Sequence, residues 1–151
     1  LGILAIMAGF LIWNWHPAKL FLGDVGSVPL GFVLGWLLLE LAARGAWMPA
    51  LILPLYYLVD ATFTLMKRGL RGEKVWHAHR EHFYQQATQR GMSHAGVSFL
   101  IMLANLALIL VVFLPTDADV SERLAIAAII VVLLIAGMKF LPVKTVKTHS
   151  P

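Results

Sequence analysis

Long apolar runs, without the polar face that a soluble amphipathic helix would show, divide this chain into five blocks. They are roughly Leu1–Trp13, Val28–Ala43, Trp47–Met66, Gly96–Leu114 and Glu122–Leu141. A helix that is apolar on every face belongs inside protein or lipid, and ~20 such residues cross a hydrocarbon core of ~30 Å. The pattern therefore predicts an all-α, polytopic helical membrane protein with about five transmembrane segments. All of residues 1–151 fall in a single membrane domain. Leu1–Trp13 is too short to span alone and reads as truncated, whereas Val28–Ala43 is short enough to start or end at the interface. Two polar blocks, Asn14–Ser27 and Lys67–Ala95, become the loops of interest.

Composition sharpens this picture. Hydrophobic residues make up 60% of the chain and charged residues 13%, against about half and about a quarter in an ordinary soluble domain. The absence of Cys excludes a disulfide framework and a thiolate metal site. The first residues have neither a charged leader nor a cleavage site, so no secretory signal is expected. They also start without Met inside an apolar run, which suggests the C-terminal part of a longer chain. Lys and Arg collect on the cytoplasmic side of membrane proteins. Placing Lys19, the Lys67–Arg90 loop, Lys139 and the Lys144/Lys147 tail together puts ten of the twelve basic residues on one side. Both polar loops and the C-terminus are then expected to be cytoplasmic.

The first loop ends in Phe21-Leu22-Gly23-Asp24-Val25-Gly26-Ser27. Gly23 and Gly26 permit a tight turn and a close backbone approach. Ser27 is suited to an N-cap, with Pro29 in the first helical turn. The helix start then offers free N–H groups to a phosphate, and Asp24 offers an oxygen ligand to Mg²⁺. The same letters also make a plain turn and cap, and local spacing leaves both readings open.

The second loop holds Lys67, Arg68, Arg71, Lys74, Arg80 and Arg90 together with His77, His79, His82 and His94. Basic residues beside a bilayer also serve topology and lipid headgroups. On a helix His79 and His82 would share a face, with Gln86 a turn further on. With Arg80 they suit a diphosphate. A zinc site is the competing reading of His77-x-His79-x-Glu81-His82, but the additional ligands that such a site draws from distant strands are missing. Within the spans, Asp60 is either a functional group facing a cavity or a structural partner of Thr64. Glu40 and Arg44 form a helical pair at the interface, and Asn105 is a candidate interhelical donor.

Together the two loops resemble the polyprenyl-phosphate N-acetylhexosamine-1-phosphate transferases, which include the phospho-N-acetylmuramoyl-pentapeptide transferases. The family motif F-x-G-D-x-G-S reads here as Phe21 to Ser27. A His-rich motif reads as His79-Arg80-Glu81-His82-Phe83-Tyr84-Gln85, followed by Gly91-Met92-Ser93-His94. An Asp after a Pro in the intervening helix matches Pro54 and Asp60. The likeness covers Trp13 to about Val97.

The resemblance implies an Mg²⁺-dependent enzyme (Mn²⁺ being an allowed substitute) in the bacterial inner membrane. Its substrates would be a UDP-sugar and polyprenyl phosphate, with UMP released and no nucleic acid as partner; a homodimer is left open. Asp24 would be a catalytic metal ligand and His82 catalytic. His79, Arg80, Gly23, Gly26, Ser27 and Asp60 would bind substrate. The family's paired-Asp motif and Asn/Asp-Gly loop are not in this sequence, so the catalytic base and further ligands are expected in an N-terminal half, and residues 1–151 alone are expected to be inactive. The peptidoglycan branch has consecutive histidines where this chain has His-Arg-Glu-His, which favours an O-antigen or capsule-type initiating enzyme. A transporter or other non-catalytic membrane segment is the alternative from another class.

Overall fold

The computed structural model describes residues 1–15, 17–77, 79–113 and 117–140. Leu114, Leu141, Lys144 and Lys147, which entered the expected spans and tail, lie outside the described residues. Among the described residues seven helices follow in order: α1 (Gly2–Asn14), α2 (Gly23–Ala43), α3 (Trp47–Ile52), α4 (Leu55–Leu70), α5 (Phe83–Gln89), α6 (His94–Phe113) and α7 (Val120–Phe140). No strand occurs among the described residues. Three helices among the described residues, α2, α6 and α7, are long and apolar enough to cross a membrane, and the chain is a polytopic helical membrane protein. The shorter α1, at 13 residues, would rise only about 20 Å.

Two expected boundaries move, each because of one residue. The second span begins at Gly23, not after Ser27. Gly23 adopts φ +58°, a left-handed conformation that glycine enters freely, so the turn is completed there and the next residues are already helical. Ser27 is therefore not the N-cap; Leu22 holds that position, and Pro29 lies inside the helix. The third span is also not continuous. Pro54 has no N–H to continue the ladder of α3 and becomes the N-cap of α4, whose first turn closes with Leu58 N–H donating to the Pro54 carbonyl at 3.0 Å. From there α4 runs past Met66 to Leu70, and Gly72 at φ +72° turns the chain away.

The core lies where α6 and α7 pair and the shorter helices pack on them. Ala127, Val131, Leu134 and Met138 are buried on α7 at alternating four- and three-residue spacing, facing Val97, Ala104 and Leu108 of α6. That spacing makes a narrow seam between two nearly parallel or antiparallel helices. Arg123 closes the hairpin by donating to the Val111 and Val112 carbonyls at 2.6 and 3.2 Å. Arg90 donates to the Lys139 carbonyl at 2.8 Å and fastens the end of α5 to the end of α7. Arg44 and Glu40 form the expected pair, at 2.8 Å. Asn105 donates to the Tyr57 hydroxyl at 2.9 Å, the expected bond between helices.

A buried arginine holds the segment after α4. Arg68 is 4% exposed; it pairs with Glu73 at 2.9 Å and donates to the carbonyls of Lys74, Val75 and His77 at 3.1, 3.3 and 3.2 Å. Outside it, Arg71 pairs with both Glu73 and Glu81. That hydrogen bond from Arg71 holds the Glu81 carboxyl below its ordinary range.

Three outcomes follow from this arrangement. Since the chain has no Cys, single cysteines placed at the exposed Ala43 and Lys74 should react with an impermeant maleimide from opposite faces of sealed vesicles; labelling from one face would contradict the alternation of spans. Arg68→Gln strands three carbonyls and Glu73, at a local cost of about 3 kcal/mol, so trypsin should cut at Arg71 and Lys74 faster; an unchanged rate would remove the clamp. The folded pKa of Glu81 lies below its unfolded value. Its pair with Arg71 is thus complete above the ordinary carboxylate range and fades as pH falls through the lowered value. Amide protection across 72–77 and 79–82 should fall in acid accordingly, and protection that persists there would exclude the pair as a restraint.

Candidate active site

Along α4 the residues that face inward are polar. Tyr56, Asp60, Thr64 and Arg68 recur every fourth position and are 1%, 4%, 3% and 4% exposed. Residues four apart share a helix face, so this face is a stripe of hydroxyl, carboxylate, hydroxyl and guanidinium turned toward α5 and α7. Arg68 serves the loop; the other three meet at the Asp60 carboxylate.

Four polar groups surround that carboxylate. From its own helix, the Tyr56 hydroxyl reaches Oδ2 and the Thr64 hydroxyl reaches Oδ1, both at 3.3 Å. From the other side, the Phe83 backbone N–H donates to Oδ1 at 3.1 Å and His82 Nδ1 stands 3.2 Å from the same oxygen. A buried carboxylate needs this many partners, because an unpaired buried charge is costly. Tyr56 also contacts Met138 Sδ at 3.9 Å, linking the cluster to α7. The bond expected from Thr64 is present, and so is a tie to the second loop.

The histidines come together, but not on a helix face. His82 is the N-cap of α5 with extended backbone (φ −60°, ψ 148°), and His79 lies in the stretch before it. The His79 and His82 rings lie 4.9 Å apart between centroids, and Tyr84 stacks with His82 at 5.7 Å. The fold back of the chain, not a 3.6-residue period, produces the pairing. Gln86 turns to the Glu81 carbonyl instead of extending a histidine face. Inside this stack His79 Nδ1 is buried without a hydrogen-bond partner. Burial, followed by the nearby Asp60 charge, raises the Tyr84 phenol pKa. Arg80 is exposed, and the charged tip of its side chain has no partner among the described residues.

Beside this cluster a groove of about 730 Å³ runs between α4 and α6. Asp60, His82, Tyr84 and Ser98 line one stretch of it, while Ile101, Leu106 and Ile109 line an apolar stretch.

The first motif stands apart. Asp24 is exposed in the first turn of α2, and Ser27 is exposed one turn later. Among the described residues no hydrogen bond, ion pair or ring contact joins Gly23, Asp24, Gly26 or Ser27 to His82, and α2 packs chiefly on α3. Gly26 has an internal reason to lack a side chain, since a Cβ there would meet the Leu22 side chain at 2.5 Å. No group of three His, Asp or Glu side chains capable of holding a metal occurs among the described residues. A lone exposed carboxylate does fit Mg²⁺, which takes one or two carboxylates and fills its shell with water and phosphate oxygens.

Sequence reading overlooked Tyr56 and the Phe83 N–H, and it named Arg68 only among the basic loop residues and Tyr84 only within the His-rich motif. The four-residue recurrence from Tyr56 to Arg68 was a visible signal for two of them, because it gives an otherwise apolar segment one polar face. Nothing local marks Phe83 N–H or Tyr84, whose positions depend on α5 docking against α4.

Comparison with known proteins agrees with the motifs. The model of glycosyl transferase family 4 matches residues 1–42, the stretch that contains Phe21 to Ser27. A probable undecaprenyl-phosphate N-acetylglucosaminyl 1-phosphate transferase of Bacillus subtilis is 31% identical over 98 residues, 62% of this chain and 27% of that protein. A putative glycosyltransferase of Streptomyces coelicolor is 34% identical over 130 residues, 83% of this chain and 32% of its own length. A phospho-N-acetylmuramoyl-pentapeptide-transferase of Kosmotoga olearia is 50% identical over 34 residues, 22% of this chain and 11% of its own. The chain thus spans less than a third of the length of these relatives. No solved structure matches it. The family model, the relatives that extend the match over most of the chain and the glycine–aspartate motif agree: the chain is similar to members of glycosyl transferase family 4.

Proposed function

We propose that the protein carrying this chain transfers an N-acetylhexosamine 1-phosphate from a UDP-sugar to polyprenyl phosphate at the cytoplasmic face of a bacterial plasma membrane. An oxygen of the lipid phosphate attacks the β-phosphorus of the nucleotide sugar, the bridging P–O bond breaks, and UMP leaves. The observation that carries this reading is the placement of His82, from the second family motif, on a buried carboxylate that fixes its ring. The name of the Bacillus relative supports N-acetylglucosamine as the sugar. The His-Arg-Glu-His run supports a surface-glycan pathway of the O-antigen or capsule type.

Phosphoryl transfer depends on positioning and on neutralising charge as two anionic groups meet. Asp24 would hold Mg²⁺, which supplies a positive centre for the phosphate oxygens. The first turn of α2 offers free backbone N–H groups beside it. Gly23 sets that turn, while Ser27 adds an exposed hydroxyl. Arg80, exposed and with its charged tip unpartnered among the described residues, is available to a diphosphate, and His82 presents an imidazole to the same group. His79 packs on His82 and completes that surface. The remaining ligands and the base belong, by family resemblance, to motifs outside this sequence.

Translocation fits these groups less well. Asp60 is enclosed by four polar groups and is not free to pass an ion along, while Asp24, Arg80 and His82 lie at helix ends and in loops. Membranes containing the polypeptide that carries this chain should convert UDP-N-acetylglucosamine and undecaprenyl phosphate to a lipid-linked product and UMP. Asp24→Asn should lower that rate about 10²- to 10³-fold with equal membrane insertion. Wild-type transfer by the Asn variant would sink the assignment of Asp24.

A further inference from the structure

Asp60 was expected to bind substrate, yet both of its oxygens are engaged inside the protein. We propose instead that Asp60 is a positioning residue that fixes which nitrogen of His82 faces the substrate; this rests on the transferase reading. A carboxylate only accepts hydrogen bonds. While Asp60 is ionised, Oδ1 at 3.2 Å from His82 Nδ1 requires that Nδ1 carry the hydrogen. Nε2 is then the outward atom, either a lone pair that accepts a proton or, on the imidazolium, a donor to a phosphate oxygen.

The surroundings make this orientation hard to reverse. Oδ1 also takes the Phe83 N–H at 3.1 Å, so the carboxylate that selects the tautomer also caps the start of α5. Gln85 Oε1 accepts the His82 backbone N–H at 3.3 Å. The ring also contacts those of His79 and Tyr84. A 180° flip about the Cβ–Cγ bond would put Cδ2 in place of Nδ1 and leave Oδ1 short of a partner. Nε2 has no protein partner among the described residues, and His82 borders the groove between α4 and α6. The arrangement has the logic of metal and triad histidines, in which a carboxylate on one ring nitrogen defines the task of the other.

Two measurements on the full polypeptide in detergent test this. In ¹⁵N-histidine-labelled protein, with His82 assigned by difference against His82→Gln, the ring should show the Nδ1–H form and its imidazolium, and the Nε2–H tautomer should appear on Asp60→Asn. A wild-type His82 in the Nε2–H form would overturn the proposal whatever the activity. In transfer assays Asp60→Asn and His82→Gln should each cost about 10²- to 10³-fold, and the double variant should cost no more than the worse single one. Losses that multiply would mean that Asp60 acts independently of His82, overturning the proposal. A wild-type protein with no transfer activity would remove the transferase reading, while the tautomer measurement would still decide the role of Asp60.

Discussion

A carboxylate buried among apolar helices must be satisfied, and meeting that requirement organises this structure. Asp60 draws two hydroxyls from its own helix, which alone could be a local arrangement. The other two partners, His82 and the Phe83 N–H, lie more than twenty positions later in sequence. Taking them requires the loop after α4 to return and α5 to start beside α4. The rest of that loop follows from the same return. Arg68, two turns further along the polar stripe, collects the carbonyls of Lys74, Val75 and His77. Ala87 is buried as α5 settles on α6 and α7, and Arg90 fastens its end to α7.

Much of the fold was legible because lipid imposes a coarse rule. Backbone groups must be satisfied within the segment, so helices apolar on all faces can be read from composition alone. The spans around α2, α6 and α7 accordingly appear where they were expected. Helix ends were less accessible. Gly23 begins α2 four residues before the Ser27 cap, and the decisive quantity, its positive φ, is not written in the letters Gly-Asp-Val-Gly-Ser. Pro54 was in plain view, yet an apolar run of the right length concealed the break it makes.

The site was legible in its parts and not in their connections. Asp60 could be assigned two roles and one partner on its own helix, Thr64, but not its partners from the second loop, which arrive by tertiary folding. His79 and His82 were paired for a helical reason, and the structure pairs them for another. Tyr56 and Arg68 follow from the spacing of the Asp60 face once that face is known to be buried. In isolation they look like an interfacial tyrosine and one more basic residue of a cytoplasmic loop.

The functional account joins two groups that the described contacts leave separate: Asp24 at the start of α2 and His82 at the start of α5. Each alone has a structural explanation; a phosphate shared between them requires both. Manganese in place of magnesium makes that joint site directly observable, because a paramagnetic ion broadens nearby nuclei. In the full polypeptide with UDP-N-acetylglucosamine bound, Mn²⁺ should broaden the His82 ring ¹⁵N resonances, and Asp24→Asn should abolish the effect. His82 resonances that stay sharp with Mn²⁺ and nucleotide sugar present would contradict a common site.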